Sequence, residues 1–164
     1  MHSDQLTYRN PLYWFVFLIA GSAVLIAIGP GLFGITTFYE WFTSWQKQVF
    51  DLLCHQNPER SIHLNETPMA VCSRCFGIYS SFFLTIVVIP LLKQSTWRNN
   101  WAIAIVIGAI TLNVVDSVAY SFQIWENSIT SRFWLGSLIG FGAAFVLGTE
   151  RPETLKNIVN YGTK

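Results

Sequence analysis

The chain has 164 residues, of which 52% are hydrophobic and 12% charged, with a net charge of +1. A typical soluble domain carries about 25% charged residues, so the composition excludes an ordinary water-soluble globule, and the balanced charge provides no bulk field for a nucleic-acid partner. The length suits a single domain, and three cysteines, an odd number, fit a metal site or a redox pair with a spare thiol better than a closed disulfide framework.

Residues 1–10 are polar. From 12 to 34 no charge appears, and about 20 such residues cross a hydrocarbon core. Tyr13 and Trp14 suit one interface, Pro30 and Gly31 the far end. The run lacks a strongly basic lead-in and an A-x-A-like exit, so it reads as a retained span, not a removed signal peptide. Residues 36–53 differ: Phe38, Trp41, Phe42, Trp45, Val49 and Phe50 recur at helical spacing, with Glu40, Gln46, Lys47 and Asp51 filling much of the other face. The pattern predicts an amphipathic helix lying in the interface on Trp41 and Trp45; a helix packed across the bundle end gives the same pattern.

Residues 54–75 form a Cys/His loop punctuated by Pro58 and Pro68. Further spans are expected over 76–93, 101–122 and 132–149, the third interrupted by Asn113 and Asp116. Gly136, Gly140 and Gly148 stand at multiples of four on one stripe, which favours close helix packing. The expected fold is therefore all-α: a four-helix integral membrane bundle with an interfacial helix and a Cys/His loop, in one transmembrane domain.

Four crossings bring the 54–75 loop and the 123–132 loop to the same side. Asp116 lies six residues before the end of its span, about 9 Å below that interface at 1.5 Å per residue. A carboxylate there costs at least ~2.5 kcal/mol on insertion scales and usually faces a partner inside the bundle. Arg74 and Arg132 start the neighbouring spans at the matching level. Six basic residues (Arg9, Lys93, Arg98, Arg151, Lys156, Lys164) lie on one side and four (Lys47, Arg60, Arg74, Arg132) on the other, so the positive-inside rule places both termini in the cytoplasm and the cysteine loop outside.

Cys72-Ser73-Arg74-Cys75 is a C-x-x-C at a helix start. This spacing lets two sulfurs reach one tetrahedral ion, and the free helix N–H groups favour thiolates. Cys54 supplies a third sulfur. His63 is the easier fourth ligand, since the adjacent Cys54 and His55 rarely reach one small ion together. Zinc is the expected metal. The same residues also fit a thiol–disulfide oxidoreductase cycling Cys72 and Cys75, although a relay generally needs a second pair and only Cys54 remains. Arg60, Arg74 and Arg132, with Ser61 and Asn127, suit a phosphate or carboxylate group at headgroup level; taken singly, each arginine is equally an interfacial anchor.

The strings Cys54-His55-Gln56-Asn57-Pro58-Glu59-Arg60-Ser61 and Cys72-x-Arg74-Cys75-x-Gly77-Ile78-Tyr79, followed by Asp116, Glu126-Asn127, Arg132, Gly136 and Gly140, resemble DUF2085, a family of small prokaryotic predicted membrane proteins. The resemblance covers most of 54–142. Where the family often has Thr and Gly, this chain has Phe76 and Ser117. The resemblance implies a prokaryotic plasma-membrane protein and supports the site residues without implying an activity. The reading is a zinc-binding membrane protein, with an enzyme acting on a lipid-embedded or anionic substrate preferred and Asp116, His55 and Glu126 as acid/base candidates. A closed Cys3His shell would instead be structural. The alternatives are the oxidoreductase and a non-catalytic metal-binding module.

Overall fold

The computed structural model of the protein describes residues 11–29, 37–64, 67–91 and 99–149. Pro30, Gly31, Lys93 and Arg98, on which parts of the span boundaries and charge balance rest, lie outside these residues. Among them are five α-helices: α1 (Pro11–Ile28), α2 (Thr37–Phe50), α3 (Ser73–Val88), α4 (Asn99–Ser121) and α5 (Ile129–Thr149). Between α2 and α3 sits a small antiparallel hairpin of β1 (His63–Leu64) and β2 (Thr67–Pro68), with His63 opposite Pro68.

Four of the helices are long and apolar enough to cross a membrane: Pro11–Ile28, Ser73–Leu91, Ile103–Ser121 and Ile129–Gly148, with mean hydropathies of 2.2, 1.7, 1.9 and 1.3. Their outward faces carry Leu18, Leu25, Leu84, Ile107, Val114 and Leu138, all exposed. That is the pattern of helices solvated by lipid, where backbone groups must be satisfied within each helix.

The tightest packing is between α3 and α5, and glycines cause it. A Cβ at Gly136 would run into the Arg74 carbonyl, one at Gly140 into that of Ile78, and one at Gly77 into that of Phe133. The two backbones therefore touch directly, which is how membrane helices gain van der Waals contact without a hydrophobic driving force. Asn113 adds a polar tie between α4 and α5: its amide donates to the carbonyls of Ala109 and Leu135, both at 2.9 Å. Tyr13, Ile86 and Ala144 bury the contact of α1, α3 and α5.

The end of α1 is closed by its neighbours. The Ile26 carbonyl would ordinarily accept from residue 30, but that residue is Pro30, which has no N–H. Gln46 of α2 supplies the missing donor, its Nε2 lying 2.5 Å from the Ile26 carbonyl. The Ala70 N–H reaches the next carbonyl, Ala27, at 3.3 Å. α2 thus buries Gln46 and Phe50 and turns Trp41 and Trp45 outward, an arrangement suited to a helix in the interface.

Candidate functional site

Cys54 comes just after α2, in a turn where its N–H donates to the Phe50 carbonyl at 2.8 Å. Cys72 is the N-cap of α3, extended at φ −67 and ψ 157, and its side chain makes no capping bond. Cys75 lies within the first turn of α3. Thiol groups from two separate stretches therefore converge: the three sulfurs all lie within 4.8 Å of one another, and none is in a disulfide. With zinc–sulfur bonds of about 2.3 Å, tetrahedral geometry sets sulfurs about 3.8 Å apart, so this group needs little closure to share one ion.

The Cys72 backbone N–H points at the Cys54 sulfur, 3.2 Å away, and the Cys75 thiol faces the Leu53 carbonyl at 3.9 Å. Hydrogen bonds from the Cys54 and Cys75 thiols, helped by the backbone N–H groups of Cys75 and Arg74, hold the Cys72 thiol down to about 2 against the opposing effect of burial. These contacts favour the thiolate of Cys72, the form that binds metal. The floor beneath is apolar: Ala27, Phe50, Ala70 and Val71 are buried there, with Phe76 and Tyr79 against them.

His63 does not join the three sulfurs. It sits exposed on β1, paired across the hairpin with Pro68, so the loop that was expected to deliver it turns it to the surface. His55 and Glu126 are also exposed and outside the group. Among the described residues no histidine or carboxylate supplies the fourth ligand.

Arg74, one residue before Cys75, leaves the helix on another side and meets Asp116. Its Nη2 lies 2.6 Å from the carboxylate and its Nη1 donates to the Ser117 hydroxyl at 2.9 Å. Asp116 also accepts from the Asn127 amide, and the Asn127 carbonyl oxygen accepts from the Ser131 hydroxyl at 2.5 Å. This chain of bonds joins α3, α4, the 123–128 loop and α5 at one end of the bundle. Arg74, not Arg132, is the partner of Asp116. Arg132 instead stacks on Tyr120, its guanidinium carbon 4.9 Å from the ring centroid, and Arg60 approaches the same ring at 5.3 Å. Ser61 is fully buried and donates to the Asn57 carbonyl at 3.0 Å, so its hydroxyl closes the Pro58–Arg60 turn.

Sequence reasoning missed Tyr120, Ser117 and Ser131. Tyr120 stands four residues after Asp116, so it shares a helical face with a residue already singled out, whereas Ser131 meets Asn127 from the first turn of α5. A groove of about 410 Å³ runs along the outward side of α4, with Arg74, Asn113, Ser117 and Ser121 on its polar part and Ile110 and Val114 on its apolar part.

A family profile described as "Predicted membrane protein (DUF2085)" matches residues 54–146, which takes in all three cysteines and Arg60, Arg74, Asp116, Glu126 and Arg132. An uncharacterised protein, MJ1492, of Methanocaldococcus jannaschii is 30% identical over 135 residues, covering 80% of this chain and 85% of its own. YfmI of Bacillus subtilis, named as an uncharacterised MFS-type transporter, is 26% identical over 159 residues, which are 96% of this chain but 37% of that protein. No solved structure matches the chain.

Proposed function

The chain belongs to the DUF2085 family of predicted membrane proteins, and from that starting point we propose that it is a zinc protein of the plasma membrane. Cys54, Cys72 and Cys75 would hold the ion. The observation that carries the reading is the convergence of three unbridged thiols from two stretches of chain within 4.8 Å. The donor set fits: soft sulfur ligands, one of them in surroundings that favour its thiolate, select zinc among the divalent ions that prefer tetrahedral sites. By the positive-inside rule the site lies outside the cytoplasm, with both termini within it.

An enzyme is the preferred reading: three sulfurs with water or substrate in the fourth position is the pattern of catalytic zinc, whereas a fourth protein ligand would make the site structural. Bound zinc supplies a polarised oxygen or an activated water. The arginines at the same end suit an anionic, phosphate or carboxylate substrate, and the groove along α4 suits one that arrives through the lipid. Asp116, with Asn127 and Arg74 around it, is the half-buried acid; His55 and Glu126 are exposed groups able to exchange protons with water.

The test is elemental analysis of the detergent-purified full chain together with free-thiol counting. About one equivalent of zinc is expected, lost in Cys75→Ala. A second reading draws on the Cys72 thiolate: a thiol–disulfide oxidoreductase also needs one. A metal-free protein isolated with a Cys72–Cys75 disulfide would replace the zinc reading with that one.

A further inference from the structure

Arg132 is the one charged side chain buried among the described residues, at 8% exposure. Its Nε has no hydrogen-bond partner, and the half-buried carboxylate at this end of the bundle, Asp116, is taken by Arg74. What Arg132 does have is the face of Tyr120, and Arg60 comes to the same ring, its Nη2 3.5 Å from the phenol oxygen. An aromatic face attracts a guanidinium but neutralises none of its charge. Two cations gathered on one ring repel each other, and a buried unpaired charge is among the costliest features a fold can carry. Glu59 and Glu126 stand exposed in the same two loops, yet among the described residues neither pairs with Arg60 or Arg132.

The height of the cluster is also set. Tyr120 lies four residues beyond Asp116 along α4, about 6 Å nearer the end of the helix, at the level of lipid headgroups. Arg60 comes from the loop and Arg132 from the first turns of α5, so two elements bring guanidiniums to one ring. We propose that Arg60 and Arg132, converging on Tyr120, bind the phosphate group of an anionic ligand. A phosphate carries enough charge to answer two guanidiniums, and its oxygens accept their forked N–H groups in pairs. The phosphate belongs either to a lipid headgroup or to a soluble phosphate compound; the recognition chemistry is shared. This inference rests on the anionic-substrate part of the reading above and not on the metal. It narrows that part to phosphate and to two arginines, leaving Arg74 to Asp116.

The experiment is thermal unfolding of the full chain in a neutral detergent, followed by intrinsic fluorescence. One arm titrates inorganic phosphate against sodium chloride of equal ionic strength. The other titrates phosphatidic acid against phosphatidylcholine in mixed micelles. A saturable rise in Tm with phosphate points to a soluble ligand, and a rise with phosphatidic acid alone to a lipid; either supports the site. Arg60→Gln and Arg132→Gln should each weaken the response about tenfold or more, the effect of removing a hydrogen bond to a charged group. Arg60 is exposed, so its variant carries the test even where Arg132→Gln fails to accumulate. Equal responses in variant and parent, or no response to either probe, would overturn the proposal. Zinc content measured on the same samples separates this failure from that of the metal reading.

Discussion

Asp116 answers two side chains, Arg74 and Asn127, through one oxygen. The carboxylate side chain is 11% exposed and that of Arg74 27%. Asp116→Asn keeps the shape and removes the charge. We expect the variant to lose less than the about 3–5 kcal/mol typical of breaking a fully buried pair, because Arg74 keeps some contact with water. It should retain any metal the parent binds at the three sulfurs, since Arg74 leaves α3 away from them, and lose any activity the parent shows; thermal unfolding and metal analysis read the first two. Cys72 offers a pH test. Its thiol is held down to about 2 from an ordinary value of 9.0, so the thiolate's contribution to stability is complete above pH 9.0 and declines as pH falls toward the folded value. In metal-free protein, alkylation of Cys72 followed by peptide mass spectrometry should change little between pH 8 and pH 5. An ordinary thiol would slow about 1,000-fold over that range, as its thiolate fraction falls tenfold per unit. At this scale the cysteines and the acid were legible in the sequence because residue type announces their chemistry. The choice of Arg74 over Arg132, and the exposure of His63, were not. Each depends on a side-chain direction set by the α3–α5 crossing and the β1–β2 hairpin, which no local pattern encodes.

At the level of helices, the glycines separate close packing from simple tolerance. Gly136, Gly140 and Gly77 face backbone carbonyls across the α3–α5 contact, while a Cβ at Gly108 meets nothing within 4 Å. Gly136→Val should push the helices apart, costing at least the about 1–3 kcal/mol of overpacking, and should appear as poor accumulation in the membrane. Gly108→Ala should be neutral or stabilising by about 0.5–1 kcal/mol, measured by thermal unfolding. The spacing of Gly136 and Gly140 foretold this face, and the four apolar runs foretold the spans. The role of Gln46 was hidden, because an amide on a helix rich in tryptophan reads as part of the wet side. Its burial follows from Pro30, whose missing N–H leaves the Ile26 carbonyl in need of a donor. Gln46→Ala should therefore cost about 1–3 kcal/mol, the penalty for an unpaired buried carbonyl.

For the whole molecule, the contacts of Arg74 with Asp116 and of Arg60 with Tyr120 put the cysteine loop and the 123–128 loop at the same end, as four crossings require. Cysteines introduced at Thr96 and Thr130 should therefore react with a membrane-impermeant thiol reagent from opposite sides of intact vesicles, above the labelling of the parent chain. Labelling of both from one side would remove a span. The opening turn of α3 gives this end a further property. Cys72 and Cys75 look one way, Arg74 looks another, and the Arg74 carbonyl rests on Gly136 while Gly77 rests on Phe133. The turn is indexed against α5 like a key in a slot. Adding or deleting one residue between Cys75 and Gly77 would swing everything before it by about 100°, drawing the sulfurs from Cys54 and the guanidinium from Asp116 in a single step. Phe76, the residue between Cys75 and Gly77, can change its side chain, but the turn cannot accept a change in number.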